Sequence, residues 1–320
     1  MKRALFIIAV ILSTACTPKM EVEVSNPSEI DRRHETVEIA WSELEERGFS
    51  PQEVVVWFNR EEIPSQVLFN SQKEPHSLIF QCSTAAGASE RYLIKEGIPA
   101  PYPVEAIGRY DSEQKTYTWE NNKVAYRLHP SGMECCREGL ALGEECSAPY
   151  LNERVWITEE QPSHETLNNG PIRTTVKLTY APFQVEEQPV KLTKYISLDA
   201  HSRFNRIESL YEGRFETLPI ASGFLRQEVN ALTSTEEWIA FAQPLAEGEG
   251  NLYFGIIQPG AEFRADADGL AAAISEVESG IPMVYYAGSG LSDVKDMRHW
   301  MELLEEAAAA VSNPLEVTIL

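Results

Sequence analysis

The sequence is short of positive charge. Of its 320 residues, 27 are Lys or Arg and 49 are Asp or Glu, giving a net charge of −22 at pH 7. Nucleic acid is therefore excluded as a partner, because phosphate binding needs a basic footprint. Long hydrophobic runs are also missing. The apolar run Leu5 to Leu12 falls well below the ~20 residues that span a bilayer. Cysteine is scarce, five in all, with no C-x-x-C pair and no accompanying His, so no metal or other cofactor is expected. The sequence contains no H-E-x-x-H, P-loop, G-x-G-x-x-G or nucleophile-elbow motif, which leaves protease, nucleotide and esterase chemistry without support. There is no repeat at solenoid or propeller spacing. Disorder is excluded by a hydrophobic content of 43% and an aromatic content of 9%.

Residues 1–16 form an address. Lys2 and Arg3 precede the apolar run, and Ser13-Thr14-Ala15-Cys16 follows it. This is the pattern of a secretory signal, and small residues before a cysteine resemble a bacterial lipobox. The expected product begins at a lipidated Cys16, anchored by acyl chains in the bacterial envelope, facing the periplasm or at the outer membrane. Export permits disulfides among Cys82, Cys135, Cys136 and Cys146. Sequence does not choose among their three pairings, although a short bridge from Cys135 or Cys136 to Cys146 is the natural candidate.

The body is predicted to be mainly β. Val22 and Val24, then Val37, Ile39 and Trp41, alternate with polar residues at the period of a half-buried strand. With Val54–Phe58, Gln66–Phe69 and Ser77–Phe80, they predict a small β-sandwich over 17–103. Gly97, Pro99, Pro101 and Pro103 mark a boundary. Longer strands follow over 104–320. Asn121-Asn122 predicts a hairpin between 116–120 and 123–128, and Asn169-Gly170 a second between 155–158 and 173–180. Further strands are expected over 189–198, 204–211 and 218–227. Helix is scarce: one over 293–311, capped by Ser292 and ended by Asn313-Pro314, and a shorter one over 270–277. A last strand, 315–320, closes the chain.

These residues carry a family resemblance. Trp119-Glu120-Asn121-Asn122-Lys123-Val124-Ala125-Tyr126-Arg127 resembles the first conserved block of the bacterial family called domain of unknown function 4861. Asn169 to Thr174, Ile196 to Ala200 with Asn205 to Ser209, and Tyr285 to Gly290 resemble later blocks in the same order. The resemblance implies a large antiparallel super-sandwich like that of sugar mutarotases and some polysaccharide lyases. It also implies an exported carbohydrate-active protein of polysaccharide-degrading bacteria, with lyase or dehydratase chemistry on uronate oligosaccharides as one activity. The chain departs from the family between its first two blocks, where members carry a longer segment; here only 129–150 lies there. The rival expectation is a non-catalytic glycan-binding lipoprotein of the same fold.

Elimination across a sugar C4–C5 bond needs a base, a stabiliser for the enolate-like carboxylate, and an acid for the leaving oxygen. Arg suits the second task through its planar fork. Arg127, Arg173 and Arg206 are the substrate-binding candidates, with Glu208 two residues from Arg206 on the same strand face, and Arg226 as a further arginine. Glu120 and Asn121 sit at the rim of the first hairpin, and Trp119 beside them is a candidate sugar platform. For proton transfer the candidates are His129, then His164, with Tyr286 as a donor. The expected partner is an oligosaccharide or polysaccharide. The sequence sets no oligomeric state.

Overall fold

The computed structural model describes residues 18–137, 140–158, 160–227, 229, 231–245 and 250–320. The leader and Cys16 lie outside the described residues.

The chain is mainly β, as the alternating patterns require, and the strand pairs among the described residues are antiparallel. Two small sheets come from the N-terminal region. A five-stranded sheet runs in the order 316–319, 19–25, 89–96, 54–58, 61–63, and a three-stranded sheet in the order 32–40, 75–84, 65–69. Between them lies a core that includes Val22, Val24, Leu44, Val56, Leu78, Phe80 and Ile94.

The rest builds two nine-stranded sheets packed face to face. One carries Thr116–Glu120, Ala125–His129, Gly132–Arg137, Leu140–Leu151, Thr217–Leu225 and Leu270–Glu278 side by side. It will be called the first large sheet. The second carries Ser163–Asn168, Arg173–Thr179, Gln188–Asp199, Phe204–Glu212, Met283–Gly290, Asn251–Ile257 and Trp238–Pro244. Inward residues of both, among them Trp119, Tyr126, Met133, Ile196, Ile207, Phe254 and Tyr285, form one large core. Burying such side chains contributes roughly 1.5–3 kcal/mol each, as an upper estimate.

The helix Met297–Ser312 lies on the outer face of the second large sheet, burying Trp300, Leu304 and Ala308 against Trp238 and Tyr253. Its N-cap is Asp296, whose side chain accepts from the His299 N–H, and not the predicted Ser292. Arg32, from the N-terminal region, donates to the carbonyls of Ala309 and Asn313 (3.0 Å each) at the helix end. The helix thereby returns the chain, and Glu316–Ile319 pairs with Lys19–Ser25 in the small five-stranded sheet.

Several local expectations are corrected. Leu270–Glu278 is a strand, not a helix. Ala favours helix locally, but Ala271 and Ala273 pack inward while Ala272 is buried on the other face, so tertiary burial overrides propensity. The strand paired with Arg173–Thr179 is Ser163–Asn168, whereas Val155 pairs with Tyr150. No disulfide joins the four described cysteines. Register explains this: Cys135 lies opposite Gly143 and Cys146 opposite Gly132, so neither forms a cross-strand pair with the other.

Candidate functional site

Side chains that could do chemistry gather on the outer face of the first large sheet. Along Ala125–His129, Tyr126 and Leu128 point into the core, so Arg127 and His129 point out. The arginine-bearing strand therefore does not face the sandwich interior, as an enclosed sugar site would require. Register sets its neighbours instead. Arg127 lies opposite Glu134, and Glu134 opposite Glu144, giving one row across three strands. Arg127 donates to Glu134 Oε2 from Nε (2.7 Å) and Nη2 (2.5 Å). Two acids directly opposite would repel; Arg127 offsets that. His129 Nδ1 is 2.7 Å from Ser131 Oγ, and its Nε2 is 3.9 Å from Glu144 Oε1. Both side chains remain reachable, His129 at 32% and Glu144 at 38% exposure.

The turn after His129 depends on Gly132. A Cβ there would stand 2.4 Å from the Glu145 carbonyl oxygen and 2.7 Å from Glu145 Oε2. Glu145 points the other way, into the core. Tyr285 donates to it at 2.7 Å, and the buried Lys194 is the opposing charge that acts on it. Lys194 Nζ and Glu145 Oε2 have no hydrogen-bond partner among the described residues. Burial raises the Glu145 pKa above its ordinary value, with Lys194 and Tyr285 acting in the opposite sense.

A second set of predicted residues meets elsewhere. Arg173, Arg206 and Glu208 line a cavity of about 570 Å³ between the outer face of the second large sheet and the small three-stranded sheet. Arg173 is held by Asp199 (Nε–Oδ1 2.5 Å, Nη2–Oδ2 2.9 Å) and by Glu38 (Nη1–Oε2 2.9 Å). Burial works against ionisation of Glu38, but Arg173 and the Ser77 hydroxyl more than offset it and hold its pKa low. Arg206 pairs with Glu208 at 3.1 Å. Two side-chain amides staple the layers here. Gln66 bonds the backbone of Ile172 and Arg173, and Asn168 bonds both backbone groups of Phe69.

The remaining candidates have other work. Trp119 is 1% exposed and donates its indole N–H to Asn205 (2.8 Å), so it has no face for a sugar. Glu120 is a surface partner of Arg109 (2.6 Å). Asn121 closes the first hairpin by accepting from the N–H groups of Lys123 and Val124, and it ties that hairpin to Asp199 and Ser202. His164 packs against Tyr110 and Tyr117 (4.8 Å each), and burial lowers its pKa. Tyr286 packs with the helix cluster. Arg226 pairs with Asp266 on the surface. The expected convergence of all named arginines and histidines thus divides into two places.

Sequence reasoning missed Glu134, Glu144 and Ser131 at the first place, and Glu38, Gln66 and Tyr195 at the second. Folding the strand back on itself at Pro130-Ser131, so that His129 faces Gly132, would have placed Glu134 opposite Arg127. His129, Glu134 and Glu144 bring three potential ligand atoms within 4.8 Å of one another. That donor set could take a divalent cation, but Arg127 already neutralises Glu134, so the cluster is held together without one.

The family model described as domain of unknown function (DUF4861) matches residues 24–134 and 129–317. A relative from Formosa agariphila, called uncharacterized protein P7, is 24% identical over 397 positions covering 98% of each chain. The alignment is longer than this 320-residue chain, so the relative carries insertions. Among solved structures, the chain is similar to an alpha-mannosidase from Enterococcus faecalis V583 (TM-score 0.60, 10% identity, 95% of this chain and 46% of that one). It is also similar to a glycosyl hydrolase family 38 protein from Enterococcus faecalis (TM-score 0.59, 11% identity, 95% and 47%). The chain spans about half the length of those structures, and at such identity the likeness is one of fold.

Proposed function

Because the chain belongs to the DUF4861 family, we propose that it is an exported carbohydrate-active protein, lipid-anchored at Cys16, with lyase- or dehydratase-like chemistry on acidic oligosaccharides. The observation that carries this reading is the meeting of Arg127, His129, Glu134 and Glu144 on one exposed sheet face. The solved structures of similar fold, with carbohydrate-related titles, support it at the level of fold.

The cluster supplies the groups that elimination needs. His129 Nε2, with Nδ1 engaged by Ser131, takes the C5 proton of a uronate. Arg127, oriented by Glu134, stabilises the charge that develops on the substrate carboxylate. Glu144 stabilises the imidazolium so formed. The C4–O bond then breaks as the C4–C5 double bond forms, and His129 returns the proton to the leaving oxygen. The test is incubation of the mature domain with a panel of uronate oligosaccharides, following the ultraviolet absorbance of a conjugated uronate. New absorbance supports the reading, and its absence on every substrate sinks the chemistry.

One observation favours a second reading, a glycan binder without catalysis. The family match breaks into two stretches that meet at 129–134, where the chain makes the short turn from His129 to Gly132. If the longer relatives place catalytic groups in extra chain at this position, a protein with the short turn binds glycan and releases no product. Saturable binding with unchanged ligand identifies this case.

A further inference from the structure

We propose that the cavity between the small three-stranded sheet and the second large sheet is a separate binding pocket for an uncharged, hydroxyl-rich ligand, a neutral sugar unit. Its volume of about 570 Å³ lies inside the ~300–1,000 Å³ range of small-molecule sites, and its place between two packed layers is where such sites form.

Charge decides the ligand class. Arg173 and Arg206 line the cavity with Glu38, Glu208 and His76, and Asp199 adds a third carboxylate to Arg173 from outside the lining. Arg173 is gripped by Asp199 and Glu38, and Arg206 by Glu208. A uronate gains no net attraction from a lining whose two arginines and two glutamates cancel. Arg173, with Nε, Nη1 and Nη2 all bonded to Asp199 and Glu38, has no nitrogen left for it, whereas Arg127 is bonded through Nε and Nη2 only. A neutral ligand needs no such attraction. The rest of the lining suits hydroxyl groups: the Ser71 and Gln72 side chains have no partner among the described residues, and Thr175 and Ser197, bonded to each other at 3.1 Å, each keep further hydrogen-bonding capacity. Tyr195 and Phe69 add aromatic surface for the apolar face of a sugar ring.

The pocket is also built to persist. The paired amides of Gln66 and Asn168 fix the edge strand Ser65–Phe69 to the second hairpin, and Arg173 joins Glu38 of one layer to Asp199 of the other. A preformed site of this kind loses little entropy on binding. It is carried by the second large sheet, whereas the Arg127–His129 cluster is on the outer face of the first.

The test is isothermal titration of the mature domain with neutral gluco-, manno-, xylo- and galacto-oligosaccharides, and separately with uronate oligosaccharides. At least one neutral series binds. Tyr195→Ala weakens that binding tenfold or more, and the milder Gln72→Ala, on an exposed loop, weakens it several-fold with an unchanged circular dichroism spectrum. His129→Gln leaves it unaltered, which separates failure of this proposal from failure of the catalytic reading. The pocket is overturned if no neutral oligosaccharide binds, if binding survives both cavity variants, or if only uronates bind and Tyr195→Ala abolishes that binding.

Discussion

Arg173 grips Asp199 through two parallel hydrogen bonds, Nε to Oδ1 at 2.5 Å and Nη2 to Oδ2 at 2.9 Å. Its third nitrogen reaches Glu38 in the N-terminal layer, so one guanidinium ties the two layers together. Arg173 is only 14% exposed. Removing one partner of such a buried group leaves the others uncompensated, at a cost of about 3–5 kcal/mol. Arg173→Met is expected to lower the urea midpoint accordingly, and a loss below about 1 kcal/mol would show that the pair stabilises little.

Trp119 is a core residue despite its place in a sugar-like motif. Trp119→Phe leaves the Asn205 amide oxygen without its 2.8 Å donor, and an unsatisfied buried acceptor costs about 1–3 kcal/mol. Thermal unfolding measures this loss. Ligand affinity at a fixed temperature below the transition is expected to stay unchanged, and a selective drop in affinity would return Trp119 to the site.

The four described cysteines are expected to be inert thiols. Burial pushes Cys135 and Cys146 up to about 12 and Cys82 up to about 11, and it raises Cys136 as well. Thiolate is the reactive form. Iodoacetamide at pH 8 should leave these four unmodified in the native protein and label all four after unfolding without reductant. A protected pair after unfolding would reveal a disulfide.

Glu145 gives a pH dependence. The native state holds its proton to higher pH than the unfolded chain, because burial raises the folded pKa above the ordinary 4.5. Its contribution to stability is complete below the unfolded pKa and is lost as pH rises through the folded value. Glu145→Gln removes that titration while keeping an acceptor for Tyr285. The stability of wild type relative to this variant is expected to fall as pH rises from about 4.5, and a difference independent of pH contradicts the assignment.

The strands were legible because one face of each is buried. Lys19–Ser25 alternates buried Met20, Val22 and Val24 with the more exposed Glu21 and Glu23, and the sequence shows that alternation directly. The shared face of Arg206 and Glu208 followed from the same period. Glu144 was not legible, because it reaches His129 only after two hairpins set the register of three strands. Nor was the junction cavity, since Glu38 and Gln66 come from the N-terminal region, far along the chain from Arg173. Sequence gives each strand its inward face but leaves open which outer face another layer will cover. For that reason Arg127 and Arg206 looked like members of one site and occupy two.

The most direct test of the central claim is the rate of unsaturated-uronate formation by wild type and by His129→Gln, on the best substrate of the panel. Loss of a positioned acid–base group costs roughly 10²–10⁴-fold. The account predicts a drop of that size with an unchanged circular dichroism spectrum. Equal rates in the two proteins would contradict it and remove the Arg127–His129 face from the chemistry.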